Sequence, residues 1–464
     1  MTKITLPELL KNKQHVHMIG IGGSGMFPLV QILHQKGVFL TGSDNNHTDN
    51  TAAEEKMGIP VYYGHEARHV EGADLVVYSA AIHPDNVERQ EAARRGIPQV
   101  ERSVLLGAIS REYADALCVA GTHGKTTTTS MLTHILLAGG LDPTCVIGGK
   151  LKLIGGYGRI GRTEHMICES CEYSNTFLEL SPALSVILNI DEDHMEFFKT
   201  LENLIASFTQ FAQNASRAVL YNGDDLNTCR AVKNVQKEKI TFGLSSGNDY
   251  YPADIQVQEN GMDTTFSLMH RGQKVTDVLL RLPGKHNLLN AVAAAAAALF
   301  AGAPADAIQK GLSTFHGAGR RFEVLYRENG ITVMDDYGHH PAEIEATLKS
   351  LKGLPFRRIL AVFQPFTYSR TKMLLDEFAR VLSFADITVL SQIMAGRENN
   401  TYGITSEDLQ KRMKNCVYLP TFGEIAPYVA SIVQPGDVVI TLGCGDVYKC
   451  ARMIIHELEQ KAHA

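Results

Sequence analysis

Gly121-Thr122-His123-Gly124-Lys125-Thr126-Thr127 is the stretch of this chain whose residue types most directly suggest chemistry. Glycines let the backbone turn its amides toward phosphate oxygens, Lys125 can reach the β/γ oxygens, and the Thr126 hydroxyl can ligate Mg²⁺. The full G-x-x-x-x-G-K-[ST] pattern is not met, because Val119 stands where its first glycine belongs. An apolar strand before the loop and a helical pattern after it still predict ATP binding over a plain turn with an exposed lysine. Glu169 follows the apolar run Met166-Ile167-Cys168, and His194 follows Val186–Ile190 through Asp191-Glu192-Asp193. Ligands of open α/β sheets gather beyond the carboxyl ends of strands, so both side chains could face the loop. Beside Thr126, a carboxylate and a neutral imidazole would make a shell for Mg²⁺ or Mn²⁺, completed by water. A surface glutamate and a capping Asp-Glu-Asp turn are the structural alternative.

A second glycine-rich turn opens the chain. Gly20-Ile21-Gly22-Gly23-Ser24-Gly25 fits G-x-G-x-x-G between a strand and a helix. Such a turn lets the backbone approach a diphosphate at the helix start, and an acid at the end of the second strand, here Asp44, often holds a ribose hydroxyl. By itself the motif suits a nucleotide of any kind, including a nicotinamide cofactor, or a tight strand–helix joint.

Elements must position these groups. The 464 residues correspond to about three domains. Strand–helix alternation predicts α/β folds with mainly parallel, helix-covered sheets in three segments, 1–112, 113–322 and 323–464. In the first, strands are expected at His15–Ile21, Val38–Gly42, Leu75–Ser79 and near Ile97–Val100. The second carries Leu117–Ala120, His165–Cys168, Ser185–Ile190, a β-rich patch at 238–282 and an alanine-rich helix. The third repeats the alternation through Ile331–Met334, Arg358–Phe363, Ile387–Leu390 and Val438–Leu442.

Composition narrows the class. Acidic residues outnumber basic ones by 50 to 44, a net charge of −6, which argues against a nucleic-acid partner, since that needs many Lys and Arg contacts. Eight scattered cysteines, of which only Cys168 and Cys171 are close, read as reduced thiols in a cytoplasmic enzyme. The first residues lack the apolar core of a signal peptide, and no run reaches the ~20 apolar residues of a membrane span, so no membrane insertion is expected.

GTHGKTTTT, ESCEYSNTF, NIDEDH, LPGKHNLLNA, GAGRRFE, DDYGHHP and FQPFTYSRT occur in this order, and together they resemble the Mur ligases of peptidoglycan synthesis over nearly the whole chain. The resemblance implies a Rossmann-like first domain for a UDP-sugar, a P-loop ATPase-like central domain and a Rossmann-like third domain for an amino acid. It makes the turn Gly20, Gly22, Gly23, Ser24, Gly25 and Met26 a UDP-sugar site, with Ser43, Asp44, His65 and Ser79 as neighbours. It assigns the loop Gly121–Thr127 to ATP phosphates, Thr126, Glu169 and His194 to metal, and Asn287 and Asn290 to the adenine nucleoside. Arg321 matches an arginine reaching the ATP phosphates, while Asp336, His339, His340 and Arg370 match positions near the reacting carboxylate and the amino acid.

The implied reaction joins L-alanine to the lactyl carboxylate of UDP-N-acetylmuramate, using ATP and Mg²⁺, through an acyl phosphate. Lys125, Arg321 and Arg370 would offset the charge where three anions meet. His339 or His340 is a candidate acceptor of the amine proton, a helix-start turn before Pro341 being the other reading of the pair. Thr367 stands where some relatives carry arginine, which leaves Arg370 alone for the amino-acid carboxylate. No lysine lies between Leu201 and Val232, so the carbamylated lysine of sibling ligases is not expected there. Cys171 and Tyr173 replace Asp and Ser of some relatives. Competing readings are a recycling ligase that adds a preformed tripeptide, an NAD-dependent oxidoreductase, and a silent nucleotide-binding regulator; the second leaves the ATP loop without a role.

Overall fold

The computed structural model describes residues 3–258, 261–395 and 398–462. They form two compact units: the first spans 3–255, 265–280 and 287–315, and the second spans 256–264, 281–286 and 316–462 apart from the undescribed positions. The α/β class expected from strand–helix alternation is what the fold shows. No helix among the described residues is long and apolar enough to cross a membrane.

The first unit holds two sheets. One has five parallel strands in the order Val61–Tyr63, Phe39–Asp44, His15–Ile19, Leu75–Tyr78, Gln99–Glu101. Its strand order reverses at His15–Ile19, and the first glycine turn leaves from there, where open sheets form their ligand crevice. The strand stops two residues before the expected end. Gly20 turns at φ +77°, and Gly20 and Ile21 both donate their N–H to Ser43 O, at 2.7 and 3.1 Å.

The other sheet has ten strands. Around its centre the order is Ala218–Asn222, Leu184–Ile187, Asp115–Ala120, His165–Glu169, Thr144–Leu151. Asp115–Ala120 is buried from Ala116 onward, because both faces of the parallel core are covered, and it reads as one apolar run. Parallel register sets Val119 beside Glu169 and Ala120 beside Ile187, so the phosphate loop emerges between the ends of two neighbours. The expected strand Ser185–Ile190 instead spans Leu184–Ile187. Beyond it Asn189 leaves the sheet to brace the loop: its O accepts Thr122 N–H (3.1 Å) and its Oδ1 accepts His123 N–H (2.8 Å). Helix Phe27–Gln35 of the first sheet packs on strand Gly156–Arg159 of the second, with the Phe27 and Tyr157 rings edge to face at 6.4 Å. Gly158 is needed there, since a Cβ would stand 2.7 Å from Pro28 Cβ.

The second unit carries six strands in the order Glu323–Glu328, Ile331–Asp336, Val438–Leu442, Ile359–Phe363, Ile387–Leu390, Cys416–Tyr418, antiparallel only in the first pair. Asp336 and Phe363 both register with Leu442, so the chain segments after these three strands issue from one sheet edge. The segments are Tyr337–His340, Gln364–Thr367 and Gly443–Asp446. Val438–Leu442 and Ile359–Phe363 are buried throughout and form the centre of this core.

Candidate active site

The phosphate loop is built from strain that only glycine accepts. Gly121 has φ +146°, and a Cβ there would stand 2.9 Å from Leu188 Cβ; Gly124 has φ +84°. Gly124 also caps helix Lys125–Ala138 without any side-chain hydrogen bond to the helix amides, which suits an anion. Thr122 Oγ1 accepts the N–H of Asp191 at 2.9 Å, and His123 O accepts Asn189 Nδ2 at 3.1 Å. Thr127 is half-buried in the first turn. Asn287 and Asn290 are buried on helix Lys285–Phe300, which brings Asn290 against the loop: a Cβ on Gly124 would lie 2.5 Å from its Oδ1.

Two carboxylates three residues apart hold the two reactive side chains of the loop. Thr126 Oγ1 donates to Glu169 Oε1 at 2.9 Å, and Glu169 Oε2 accepts Gly148 N–H at 2.7 Å. Lys125 Nζ lies 3.0 Å from Glu172 Oε2 and also donates to Gly121 O (2.5 Å) and Thr122 O (3.1 Å). Burial disfavours the ammonium charge, yet Glu172 outweighs it and holds the Lys125 pKa above the ordinary lysine value. Glu172 and Asn189 were not singled out from the sequence. For Glu172 the signal was its place in ESCE, three residues after Glu169.

Thr126 and Glu169 offer adjacent hard oxygens of the kind Mg²⁺ prefers. His194, in the left-handed region at φ 56°, caps helix Met195–Phe198, with its ring 4.8 Å from Tyr173 and its Nε2 3.7 Å from Asp193 Oδ2. No group of three or more His, Cys, Asp or Glu side chains is poised to hold a metal among the described residues. The eight cysteines are unpaired.

In the first turn, Gly22 donates its N–H to Asp44 Oδ2 (3.1 Å), and a Cβ on Gly22 would strike Thr51 Cγ2 at 2.5 Å. Asp44 thus braces the turn while its Oδ1 accepts Asn46 N–H at 3.0 Å. Gly23, Ser24 and Gly25 lead into helix Phe27–Gln35, which has no capping side chain; Met26 itself is buried in the core. Gly20 packs near Ser79, whose Cβ would be 3.5 Å from an added Cβ. His65 Nδ1 lies 3.3 Å from Ser43 Oγ and 3.4 Å from Glu88 Oε1. Glu88 is fully buried; burial pushes its pKa up, but hydrogen bonds from His17 and Ser43 outweigh that and hold it at about 2.

One cleft joins the two parts of this unit. A cavity of about 130 Å³ is lined by Ser24, Gly25, Arg102, Gly148, Glu169, Ser170, Cys171 and Thr176, among others. Arg102 begins helix Arg102–Ser110 at the end of strand Gln99–Glu101, and a Cβ on Gly25 would meet its Nη1 at 3.4 Å. It supplies a cation between the glycine turn and Glu169. Sequence reading passed it over, although an arginine just past a strand of the turn's own sheet was the available signal. A cavity of about 590 Å³ in the second unit, beside Arg380 and Arg412, contains none of the predicted residues.

The second unit gathers its own set. Asp336 accepts N–H from Phe322 (2.7 Å) and Gly338 (2.9 Å) and the Thr347 hydroxyl (3.3 Å), so its carboxylate braces the turn toward His339. Burial raises its pKa, opposed by Arg321. Arg321 lies over the Tyr337 ring, 4.8 Å from the centroid. His340 caps helix Pro341–Lys352 through its Nδ1, while Glu343 Oε2 accepts both His339 N–H (3.0 Å) and His340 N–H (3.2 Å). Glu343 Oε2 is also 3.3 Å from His339 Nδ1, which lies 3.1 Å from Tyr337 O. Burial lowers the His339 pKa; Glu343 opposes this, and the charges of Arg370 and Arg321 add to it. Arg370 sits on helix Tyr368–Met373, its N–H donated to the capping Thr367 hydroxyl at 3.4 Å. Cys444 shares this neighbourhood, where burial pushes its thiol up to about 12.

In comparison with known proteins, three family models match consecutive stretches of the chain. The Mur ligase family, catalytic domain matches residues 15–114, the Mur ligase middle domain 119–298, and the Mur ligase, glutamate ligase domain 320–445. A UDP-N-acetylmuramate–L-alanine ligase of Caldanaerobacter subterraneus is 41% identical over 97% of this chain and 98% of its own. One from Agathobacter rectalis is 44% identical over 93% and 96%. The crystal structure of the UDP-N-acetylmuramate-alanine ligase of Thermotoga maritima superposes with a TM-score of 0.82 at 26% identity, covering 96% of this chain and 99% of that one. A murein peptide ligase of Psychrobacter arcticus shares the fold, with a TM-score of 0.73 at 22% identity over 96% and 98%. Identity at this level over nearly the whole chain, with three consecutive domain matches, means that the chain belongs to the Mur ligase family.

Proposed function

We propose that this protein is the ATP-dependent ligase that joins L-alanine to the lactyl carboxylate of UDP-N-acetylmuramate, a cytoplasmic step of peptidoglycan precursor synthesis. One observation carries the reading. The cleft lined by Ser24 and Gly25 of the glycine turn is also lined by Glu169, which holds Thr126 of the phosphate loop. A sugar-nucleotide turn that shares a cleft with the carboxylate holding the ATP loop is an arrangement suited to phosphoryl transfer to a sugar-nucleotide carboxylate. The names of the full-length relatives agree with it.

A carboxylate cannot take an amine directly, because oxide would have to leave. A lactyl oxygen attacks the γ-phosphorus, the bond to the ADP oxygen breaks, and an acyl phosphate forms. The free amine of alanine then attacks the acyl carbon, and phosphate leaves. Residues 1–112 bind the sugar nucleotide, 113–322 the ATP and 323–464 the amino acid. Lys125 and Arg321 neutralise the ATP phosphates, and Arg102 faces the anionic substrate. Arg370 holds the alanine carboxylate, and neutral His339 accepts the amine proton. His340 keeps its helix cap, and Asp336 fixes the turn. Thr126 and Glu169, with His194, are the residues that would hold Mg²⁺. When bound, the ion supplies positive charge to the β- and γ-phosphate oxygens.

The test is phosphate release from ATP, Mg²⁺ and UDP-N-acetylmuramate with either L-alanine or a preformed tripeptide. Turnover with L-alanine is expected; faster turnover with the tripeptide overturns the choice of acceptor. Turnover that needs NAD and no ATP overturns the class.

A further inference from the structure

We propose that Glu172 is a positioning residue that competes with nucleotide phosphate for the Lys125 ammonium, releasing Lys125 when ATP binds and reclaiming it when product leaves. The proposal rests on the reading of the loop as the ATP site. An ammonium has three N–H donors. In the loop as it stands they are matched to Gly121 O, Thr122 O and the Glu172 carboxylate, at 2.5, 3.1 and 3.0 Å. Lys125 therefore meets a phosphate only by giving up one of these partners.

The two carbonyls belong to the frame of the loop and carry no net charge. Glu172 is the anionic partner, so a phosphate arriving at Lys125 is repelled by Glu172 and not by the two neutral carbonyls, and it is Glu172 that the lysine leaves. Glu172 is only 1% exposed, so water does not take over when Lys125 turns away. A carboxylate left buried and unpaired is unfavourable, and this pulls the lysine back. Its neighbour three residues earlier behaves differently. Glu169 binds a neutral hydroxyl and a backbone amide, and it keeps both oxygens engaged whether or not the lysine moves. The segment 169–172 thus presents one fixed carboxylate and one exchangeable one to consecutive residues of the loop.

Glu172→Gln keeps the shape and a hydrogen bond to Lys125 but removes the competing charge. The expected result is a KM for ATP and an inhibition constant for ADP that both fall about tenfold. With ADP held longer, kcat drops and the KM for alanine stays within about twofold. Glu172→Asp keeps the charge and restores the wild-type ATP KM. An unchanged or raised ATP KM in Glu172→Gln, accompanied only by a lower melting temperature, overturns the proposal and leaves Glu172 a structural ion-pair partner. The double variant Lys125→Gln with Glu172→Gln separates this from failure of the ATP assignment. Loss of phosphate release in the double variant upholds Lys125 as the phosphate ligand, whereas full activity overturns that assignment and the proposal with it.

Discussion

A Cβ placed on Gly124 would stand 2.5 Å from Oδ1 of Asn290, a residue 166 positions later in the chain. Helix Lys285–Phe300 thereby closes one side of the phosphate loop, and the loop needs a glycine for two independent reasons, its φ of +84° and this contact. Gly124→Ala is expected to lose about 1–3 kcal/mol of stability and to raise the KM for ATP at least about tenfold. Urea unfolding and an ATP titration measure the two effects, and normal values of both would show that the loop relaxes.

Glu169 binds Thr126 on one oxygen and the Gly148 amide on the other. Glu169→Gln is expected to raise the Mg²⁺ concentration for half-maximal phosphate release by about tenfold or more. His194→Ala is predicted to act in the same direction. An unaltered Mg²⁺ dependence in either variant removes that residue from the metal shell.

Arg102 is the cation of the shared cleft. Arg102→Met loses a charge-assisted contact, for which about 1.5–3 kcal/mol is ordinary. The KM for the sugar nucleotide should rise about 10–100-fold while the KM for ATP stays within about twofold. Steady-state kinetics with each substrate varied in turn will show it, and an equal rise in both would place Arg102 elsewhere in the cycle.

Glu54 is buried, and neither carboxylate oxygen has a hydrogen-bond partner among the described residues. Burial, then the nearby Asp44 and Glu55, push its pKa from 4.5 to about 8. The folded state therefore keeps a proton that the unfolded chain releases, so stability falls as pH rises between these two values and stays low above them. Glu54→Gln removes that loss. Urea unfolding should find the variant more stable by on the order of a few kcal/mol at high pH and equal to the parent near pH 4; the same difference at both pH values would refute the titration.

Burial lowers the His339 pKa below 6.5, so the ring is neutral at pH 7 and ready to accept a proton. The rate with alanine should fall only as pH drops below that value. Glu343 raises the His339 pKa, so Glu343→Gln moves the fall to lower pH, and His339→Gln abolishes it together with about 10²–10⁴ of the rate. A pH profile of kcat/KM for alanine decides this; an identical acid limb in His339→Gln would assign the proton to another group.

The α/β class, the two glycine loops and the acid that ends the second strand, Asp44, were legible in the sequence, because turn chemistry and hydrophobic periodicity act between residues close along the chain. Strand ends were less so. Ser185–Ile190 reads as one apolar strand, yet Asn189 leaves the sheet at the point where the loop needs its carbonyl and amide. Order within a sheet is not written locally. It depends on which crossovers bury their helices together, and that order alone set Glu169 beside Val119 and brought its carboxylate to Thr126. The same reason separates the motifs from their partners. Lys125 was evident from GKT, but the carboxylate that holds it, the arginine behind Gly25 and the asparagine against Gly124 belong to distant segments, and only tertiary packing decided that they meet.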